Sequence, residues 1–423
     1  MYMKKNIFML LALVMTVMTA SAYDLKVGTT EHGQIAFEVG EQTVTTAEAG
    51  QTVTVIITPQ SGYATKAITA IAYGEWGSAK ARRRSVNIDL LETVATTMER
   101  TNVYTFEMPA ANVEVSAEYE YSIPASAMEN KENGKEVEGV NLKLEILEGT
   151  VPTVDENGVT IIRMVITGID VPKQTDASEA NKKEITVEIP AEMISDDGKM
   201  KFVVEKIAKD AFKTPEGSNT VVTKVILPET DEPILIEEGA LSPDGEPISL
   251  VVPLALLDDY ALMETLKDNF EAMNISAIAT PENRLWTFAC GVDAIMPEGV
   301  KAYTCYILND VEVKINEIPA EKLQVGGKRV ILANNGVLFA NDSGEGGTYE
   351  IVACPGRQVS GTKPLTTDAM DYGADNWLEP VIVSKHYSAG KYLVLKDNEF
   401  HEIENNTSET PACKAILRKN SNF

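Results

Sequence analysis

Three short runs of β-branched and aliphatic residues in the middle of the chain each end on a proline: Ile189-Pro190, Leu227-Pro228 and Val252-Pro253. Proline has no N–H to give to a ladder, so a strand that reaches it stops there. The three prolines are 38 and 25 residues apart. A second motif recurs beside them, Ile207-Ala-Lys-Asp-Ala211-Phe212 returning 29 residues later as Ile236-Glu-Glu-Gly-Ala240-Leu241. Recurrence on this scale predicts repeats of one strand and one turn, stacked because no single repeat can bury its own apolar edge. Nearer the N-terminus the pattern has period two. Thr52 to Thr58 is an apolar run closed by Pro59 and the turn Ser61-Gly62, and Val113, Val115, Ala117, Tyr119 and Tyr121 alternate with Glu114, Ser116, Glu118 and Glu120. The fold class expected from these features is mainly β.

Composition limits the rest. At 44% hydrophobic and 24% charged the chain falls in the ordinary globular range, and 423 residues suggest roughly two to four domains. Sixty-three acidic against 37 basic side chains leave a net charge of −26, a field that repels phosphate backbones and anionic lipid, so nucleic acid and membrane surfaces are not expected partners. Residues 1–22 differ in kind. Lys4 and Lys5 precede an apolar stretch from Ile7 to Met18, broken only by Thr16, and Ala20-Ser21-Ala22 is a small-x-small cleavage site. The stretch is about half the length needed to cross hydrocarbon, so it reads as a secretory signal peptide with the mature chain starting at Tyr23 and no membrane insertion afterwards. No cysteine follows the cleavage site to carry lipid, and the C-terminus from Lys419 to Phe423 is not a hydrophobic anchor. The expected location is exported: cell surface, secreted or periplasmic.

Three segments follow. Residues 23–121 form a small β-domain. Within it, Gly50 to Tyr63 (GQTVTVIITPQSGY) and Tyr104 to Glu120 (YTFEMPAANVEVSAEYE) resemble the internalin-type B-repeat, or bacterial repeat domain, of bacterial surface proteins. Between those halves lies Lys80-Ala-Arg82-Arg83-Arg84, the one basic cluster, best read as a solvated loop, with a contact site or protease-sensitive tip as the alternatives. A polar linker at Glu129–Glu138 leads into residues 122–272, which hold the repeats. There Val203 to Phe212 (VVEKIAKDAF), Val222 to Pro228 (VTKVILP) and Ile236 to Leu241 (IEEGAL) resemble the BspA-like leucine-rich repeats of Bacteroides-type surface proteins. That resemblance implies a short, irregular leucine-rich-repeat solenoid in an exported, non-catalytic interaction protein, some of whose relatives are adhesins. Leu256, Tyr260, Met263, Leu266 and Phe270 make one apolar stripe, with Asp258 and Asp259 near its start, predicting a capping helix over 254–270.

Residues 273–423 return to short strands, with hairpin signals at Gly326-Gly327 and Asn335-Gly336 between Val330–Ala333 and Val337–Ala340, and further strands at Lys391–Leu395 and Lys414–Leu417. A C-terminal β-sandwich is expected. Trp286-Thr-Phe288, Met296 to Tyr303, Gly336-Val-Leu338, Tyr392 to Val394 and Ala412 to Ala415 resemble the C-terminal β-domain that often follows such repeats in the same surface proteins.

A search for chemistry returns incomplete motifs. His401-Glu402 lacks the second histidine of a zinc protease, since Asn405 stands where it would be. Ser388-Ala-Gly-Lys391 has serine–lysine spacing, but Gly390 before a strand reads as a turn. Gly344-Glu-Gly346-Gly347 is too short for a dinucleotide loop, and Asp368, Asp371 and Asp375 miss the alternating positions of a calcium loop. The cysteines Cys290, Cys305, Cys354 and Cys413 include no Cys-x-x-Cys pair, and the histidines are only His32, His386 and His401. Buried small hydrophobes, or at most one or two disulfides within residues 290 to 413, are expected, with three pairings of four cysteines left open. No catalytic, cofactor-binding or metal-binding residue is assigned, no cofactor is expected, and the chain is not expected to be an enzyme.

The function expected is that of an exported, adhesin-like interaction protein binding an extracellular protein partner. The alternative is a carbohydrate-binding accessory protein whose exposed aromatics, such as Trp76 or Trp377, stack on sugar rings. Export makes the first prediction. Intact mass of the protein recovered outside the cytoplasm should begin at Tyr23, and retention of Met1 or Met3 would refute the signal-peptide assignment.

Overall fold

The structure, a computed structural model, describes residues 22–60, 62–73, 86–93, 102–130, 134–171, 182–195, 198–215, 218–266, 273–308, 312–325, 327–354, 372, 376–403 and 409–419. Among them strands account for 54% and helix for 4%, so the protein is mainly β. The chain divides into two compact units, residues 1–123 and 124–423.

In the first unit a five-stranded antiparallel sheet has the spatial order Gln42–Thr43, Gly33–Val39, Thr52–Pro59, Asn102–Glu107, Leu91–Thr93. A second set of strands is built on Asn112–Pro124, which runs parallel to Ala22–Val27 and antiparallel to Tyr63–Tyr73. The expected alternation holds at its start: Val113, Val115 and Ala117 are buried with Val53, Val55, Ile57, Phe37 and Phe106 in one core. It then changes. A bulge between Glu118 and Tyr119 shifts the register against the 63–73 strand, and Tyr119 and Tyr121 end up half-buried. Tyr119 shares a hydrogen bond with Thr30 Oγ1 at 3.0 Å, and the Tyr121 ring lies 4.8 Å from that of Tyr63. A bulge re-aims the residues that follow it, which period-two counting cannot anticipate.

The second unit carries the recurrent segments. The polar stretch expected as a linker belongs to it: Val137 is buried and donates its N–H to Ala127 at 2.7 Å. From residue 160 the chain alternates between two parallel ladders. One holds Thr160–Asp170, Met200–Ile207 and Leu235–Ile236. The other holds Lys183–Glu188, Thr220–Ile226, Ser249–Val252 and Ile275–Ala279. In the second ladder Val187, Val225, Leu250 and Ile275 stand side by side, each with no exposed surface. Their offsets of 38 and 25 residues from Val187 to Val225 to Leu250 equal the proline spacings. The prolines therefore mark equivalent strand ends.

The first ladder explains the other recurrence. Ile166, Ile207 and Ile236 align, and the residue after each isoleucine donates its N–H to the isoleucine of the preceding repeat, Ala208 to Ile166 at 2.9 Å and Glu237 to Ile207 at 3.0 Å. Each strand then turns the same way. Ala211 N–H bonds Ala208 O and Ala240 N–H bonds Glu237 O; Lys213 N–H bonds Asp210 O and Ser242 N–H bonds Gly239 O. Asp210 and Gly239 hold the same left-handed position, φ +58° and +82°. Aspartate tolerates that region better than most residues and glycine adopts it freely.

The predicted helix over 254–270 is corrected. A 3₁₀ turn at Leu254–Leu256 leads into an α-helix of five residues, Leu257–Ala261, and Leu262 leaves it at φ −99°, ψ 0°. Further bonds are of the tighter kind, Met263 N–H to Tyr260 O and Leu266 N–H to Met263 O, while residues 267–270 lie outside the described set. Leu256, Tyr260 and Leu266 are buried as the stripe requires, but isolated helices this short do not persist on propensity alone. The helix does not close the ladder either, because the free edge of Ile275–Ala279 is paired antiparallel by Tyr349–Ala353. A second helix of four residues, Ala320–Leu323, follows later.

The nine-stranded sheet that contains the second ladder continues from Tyr349–Ala353 through Ala294–Ile295, Lys328–Ile331 and Gln324–Val325. The expected hairpin around Asn335-Gly336 is absent for this reason: Lys328–Ile331 pairs with Ala294–Ile295, whereas Val337–Asn341 pairs with Leu285–Phe288 and Val300–Leu308 in another sheet. Asn334, at φ +61°, turns the chain from one sheet to the other. That four-stranded sheet and a second one, of Leu378–Val381, Lys414–Arg418, Tyr392–Lys396 and Glu399–Glu402, contribute jointly to one apolar cluster around Cys305, Leu338, Leu378 and Leu417.

The repeated turn generates a prediction. Gly239→Ala should lower stability by about 1–2 kcal/mol through the left-handed penalty, and Glu238→Ala next to it should change stability by less than about 0.5 kcal/mol. Denaturant midpoints of the two variants, with unchanged slope, check both.

Candidate interaction surface

The first ladder has two unlike faces. Along Thr160–Asp170 the even positions Ile162, Met164 and Ile166 are buried against Phe202, Val204 and Ile207. The odd positions point the other way and form three rows: Thr153, Ile161, Lys201 and Ile194; then Arg163 and Val203; then Glu145, Val165, Lys206 and Leu235. Apolar and charged side chains are interleaved there. Ile194 and Leu235, at 63% and 60% exposure, stand furthest out at the margins, and Ile161, Val165 and Val203 are half-buried between them.

Ion pairs hold the charged members in place. Arg163 reaches Glu205 at 3.3 Å, Lys206 reaches Glu237 at 2.5 Å, Lys143 reaches Asp170 at 3.1 Å, and Lys201 pairs with Glu192. The Lys206 ammonium, with the Lys209 N–H at 2.9 Å, lowers the pKa of the Glu237 carboxyl below its ordinary value. Such partly exposed pairs add little to stability, but they fix long side chains in one direction. On the second ladder a groove of about 550 Å³ is lined by Lys182, Glu184, Phe212, Ser218, Val221 and Ile248. Its rim is polar and its floor is core.

A distinct cluster surrounds the short helix. Asp258, 9% exposed, accepts hydrogen bonds from the N–H of Gly291 at 2.6 Å, the N–H of Val292 at 3.2 Å and the Cys290 thiol at 2.7 Å. A Cβ at position 291 would lie 2.8 Å from the Asp258 carboxylate, so the approach requires glycine. Its neighbour Asp259 has its pKa raised, by desolvation first and by Asp258 second. Tyr260, one residue further, accepts the Ile234 N–H at 2.7 Å, and burial pushes its phenol up to about 12.

The motifs set aside in the sequence lie in ordinary structure. His401-Glu402 is in the strand Glu399–Glu402, and Gly390 of the Ser388–Lys391 stretch is in a turn at φ +77°. Gly344 closes a turn after Val337–Asn341, and Gly346 follows in the irregular stretch before Tyr349–Ala353. Lys80–Arg84, Trp76, Asp368, Asp371 and Asp375 lie outside the described residues. Among the described residues no group of three or more His, Cys, Asp or Glu side chains is placed to hold a metal ion, and no helix is long and apolar enough to cross a membrane. Cys290, Cys305 and Cys413 are buried as free thiols, Cys354 half-buried, and burial raises Cys305 to about 12.

Sequence reasoning did not single out the outward residues of the first ladder. A signal for them exists: Thr160-Ile-Ile-Arg-Met-Val-Ile166 is apolar on both faces of a strand, where a strand with one wet face would alternate. The sequence places Asp258 near a helix start for the dipole, whereas it acts by accepting the Gly291 and Val292 N–H groups and the Cys290 thiol.

Compared with known proteins, residues 90–123 match the family described as the divergent InlB B-repeat domain. The B-repeat character expected for the N-terminal module is borne out there, over the strands Leu91–Thr93, Asn102–Glu107 and most of Asn112–Pro124. Neither a curated protein nor a solved structure matches the chain.

Asp258→Ala should destabilise the second unit by about 2–3 kcal/mol, since the buried Val292 N–H, the half-buried Gly291 N–H and the Cys290 thiol lose a charged acceptor. Asp258→Asn, which keeps one carbonyl acceptor, should cost less. Thermal unfolding of both variants beside the parent checks the order, and equal midpoints for all three would refute the role.

Proposed function

We propose that the protein is an exported, non-catalytic interaction protein whose second unit carries a short BspA-like leucine-rich-repeat solenoid and binds an extracellular protein partner. In this reading the two parallel ladders are the two sides of the solenoid, and the two four-stranded sheets sharing a cluster are the C-terminal sandwich. One observation carries the proposal: the outward face of the first ladder, where Ile161, Ile194, Val165, Val203 and Leu235 alternate with Lys201, Arg163 and Lys206. Apolar side chains rimmed by oriented charges are the usual make-up of a protein-binding patch. The B-repeat segment supports the same class by its occurrence in bacterial surface proteins.

A sugar platform has less behind it. Trp286 is buried among Phe288, Phe339 and Tyr349, and Trp377 packs on the C-terminal cluster and meets Tyr306 edge-on at 6.2 Å. Burial against neighbouring rings takes Trp286 away from any sugar, and Trp377 is half-buried rather than set out on an open face.

The surface is best tested by substitutions that leave the sheet whole, because excising residues 122–272 would remove strands from the nine-stranded sheet. The mature chain and the double variant Ile194→Glu, Leu235→Glu should be screened against panels of extracellular proteins and glycans. Protein capture by the parent, weakened at least tenfold in a variant with unchanged unfolding midpoint, is the expected result. With a net charge of −26 a basic partner is favoured, so its association rate should fall as salt rises above about 0.1 M, where the screening length is about 10 Å. Undiminished binding by the variant would move the site elsewhere, and turnover of a substrate abolished by one carboxylate substitution would overturn the binding-protein reading.

A further inference from the structure

Two cysteines far apart in sequence meet at the buried carboxylate. Cys290 follows the strand Leu285–Phe288 and Cys413 precedes the strand Lys414–Arg418. Each has 1% of its surface exposed, and their side chains are within hydrogen-bonding reach of each other. Each thiol has a single proton, and both are already committed to oxygen: Cys290 donates to Asp258 Oδ1 at 2.7 Å, and Cys413 donates to Leu254 O at 2.9 Å. Leu254 and Asp258 lie four residues apart, on the 3₁₀ turn and the helix that follows it. The two sulfurs are therefore brought together by oxygen acceptors on one turn of chain.

The backbone supplies a second sign. Cys413 is held at φ +56°, a left-handed conformation that a non-glycine residue adopts only when its surroundings impose it. Ala412 N–H bonds Ser384 Oγ at 3.1 Å on one side, and the strand beginning at Lys414 pairs with Val381 on the other. The conformation aims the Cys413 side chain at Leu254 and Cys290. Cys305 and Cys354 have neither arrangement: Cys305 is enclosed in the cluster with Leu338 and Leu417, and Cys354 lies half-buried near Asp293.

We propose that Cys290 and Cys413 are a disulfide-forming pair that staples the C-terminal strand to the segment after Leu285–Phe288, and that Cys305 and Cys354 remain thiols. The bond joins Sγ to Sγ; two thiols lose two protons and two electrons, and a disulfide-class oxidant such as glutathione disulfide takes them up as two thiols. Asp258 keeps its bonds from Gly291 and Val292 after the Cys290 proton has left. Timing follows from burial. In the folded chain the Cys290 thiol is raised far above its ordinary pKa, by the Cys413 thiol beside it first, then by burial and by Asp258, so it is not a thiolate at neutral pH. Exchange needs the thiolate. The bond therefore forms during folding, before the cluster closes, and is shielded afterwards. The pair encloses most of the C-terminal 134 residues, a long loop whose closure narrows the unfolded ensemble strongly.

The test has two arms. Reduced, unfolded mature chain is refolded with glutathione and glutathione disulfide, then alkylated in denaturant without reductant and mapped. Alkylation of Cys305 and Cys354 only, with a Cys290–Cys413 cross-linked peptide, is expected; four alkylated cysteines, or a link through Cys305 or Cys354, would overturn the pairing. This arm does not depend on export. The second arm compares unfolding midpoints with and without reductant. Reduction should lower the midpoint of the parent by several degrees, the order expected for a long-loop cross-link, and leave that of the Cys290→Ala, Cys413→Ala double variant unmoved. An equal shift in that variant, or none in the parent, would overturn the staple. The same map on protein recovered outside the cytoplasm should show the same link, and four free thiols there would overturn its role in the exported protein.

Discussion

The parallel stack in the second unit rests on one column of aliphatic side chains. Val187, Val225, Leu250 and Ile275 come from four different strands, and each is covered by the strands beside it. None of these strands could bury its residue alone, and a parallel strand must also take its hydrogen bonds from a neighbour that arrives only after a crossover. The stack is therefore made cooperatively. That dependence explains why the turns are so alike, with Asp210 and Gly239 in one conformation and the bonds around them repeated: a turn of different geometry would misplace the next strand by a residue and invert its faces. The same constraint governs how the stack ends. An open parallel edge invites other chains, and here Tyr349–Ala353 occupies it in antiparallel pairing.

Once the inner face of the first ladder is committed to the core, the outer face is free to vary, and its residues are not those of a merely solvated sheet. Leaving Ile194 and Leu235 in water forgoes burial that a hydrophobic side chain is worth when enclosed, about 1.5–3 kcal/mol. Fixed ion pairs at Arg163, Lys201 and Lys206 offset the aggregation risk of such a surface by keeping charge among the apolar groups. The proposed binding role would account for the combination, since a partner would cover the apolar residues and meet charges already oriented.

How far the sequence could be read depended on whether a signal was local. Proline and the Ala-aromatic turn act through their own backbone, so the ends of strands, the repeat spacing and the mainly β class were legible before any contact was known. Val113 to Ala117 was legible for the same reason, as a strand with one wet face. The reading failed where a distant partner decides. The Glu118–Tyr119 bulge is set by the 63–73 strand, and Asn335-Gly336 resembles a hairpin although its flanking strands belong to different sheets. The outward apolar residues were hidden because strands apolar on both faces have no period to count. The meeting of Cys290 with Cys413 spans 123 residues, and spacing carries no information on that scale.

The shortened helix unites these lessons. Periodicity gave Leu254 to Phe270 a continuous apolar stripe, yet a stripe reports only which side chains want burial and not how long the backbone can remain helical. Five residues form one turn and little more, too few to be stable by themselves, so what holds Leu257–Ala261 must come from outside it. Asp258 supplies part of that hold by accepting the Gly291 and Val292 N–H groups, and Tyr260 supplies another by accepting the Ile234 N–H. One turn of helix thus ties a loop before it in the chain to a loop after it. Its position is fixed by those two anchors: Asp258 faces the Gly291 and Val292 N–H groups while Tyr260, two residues on, faces Ile234, so the one turn must keep the phase that satisfies both.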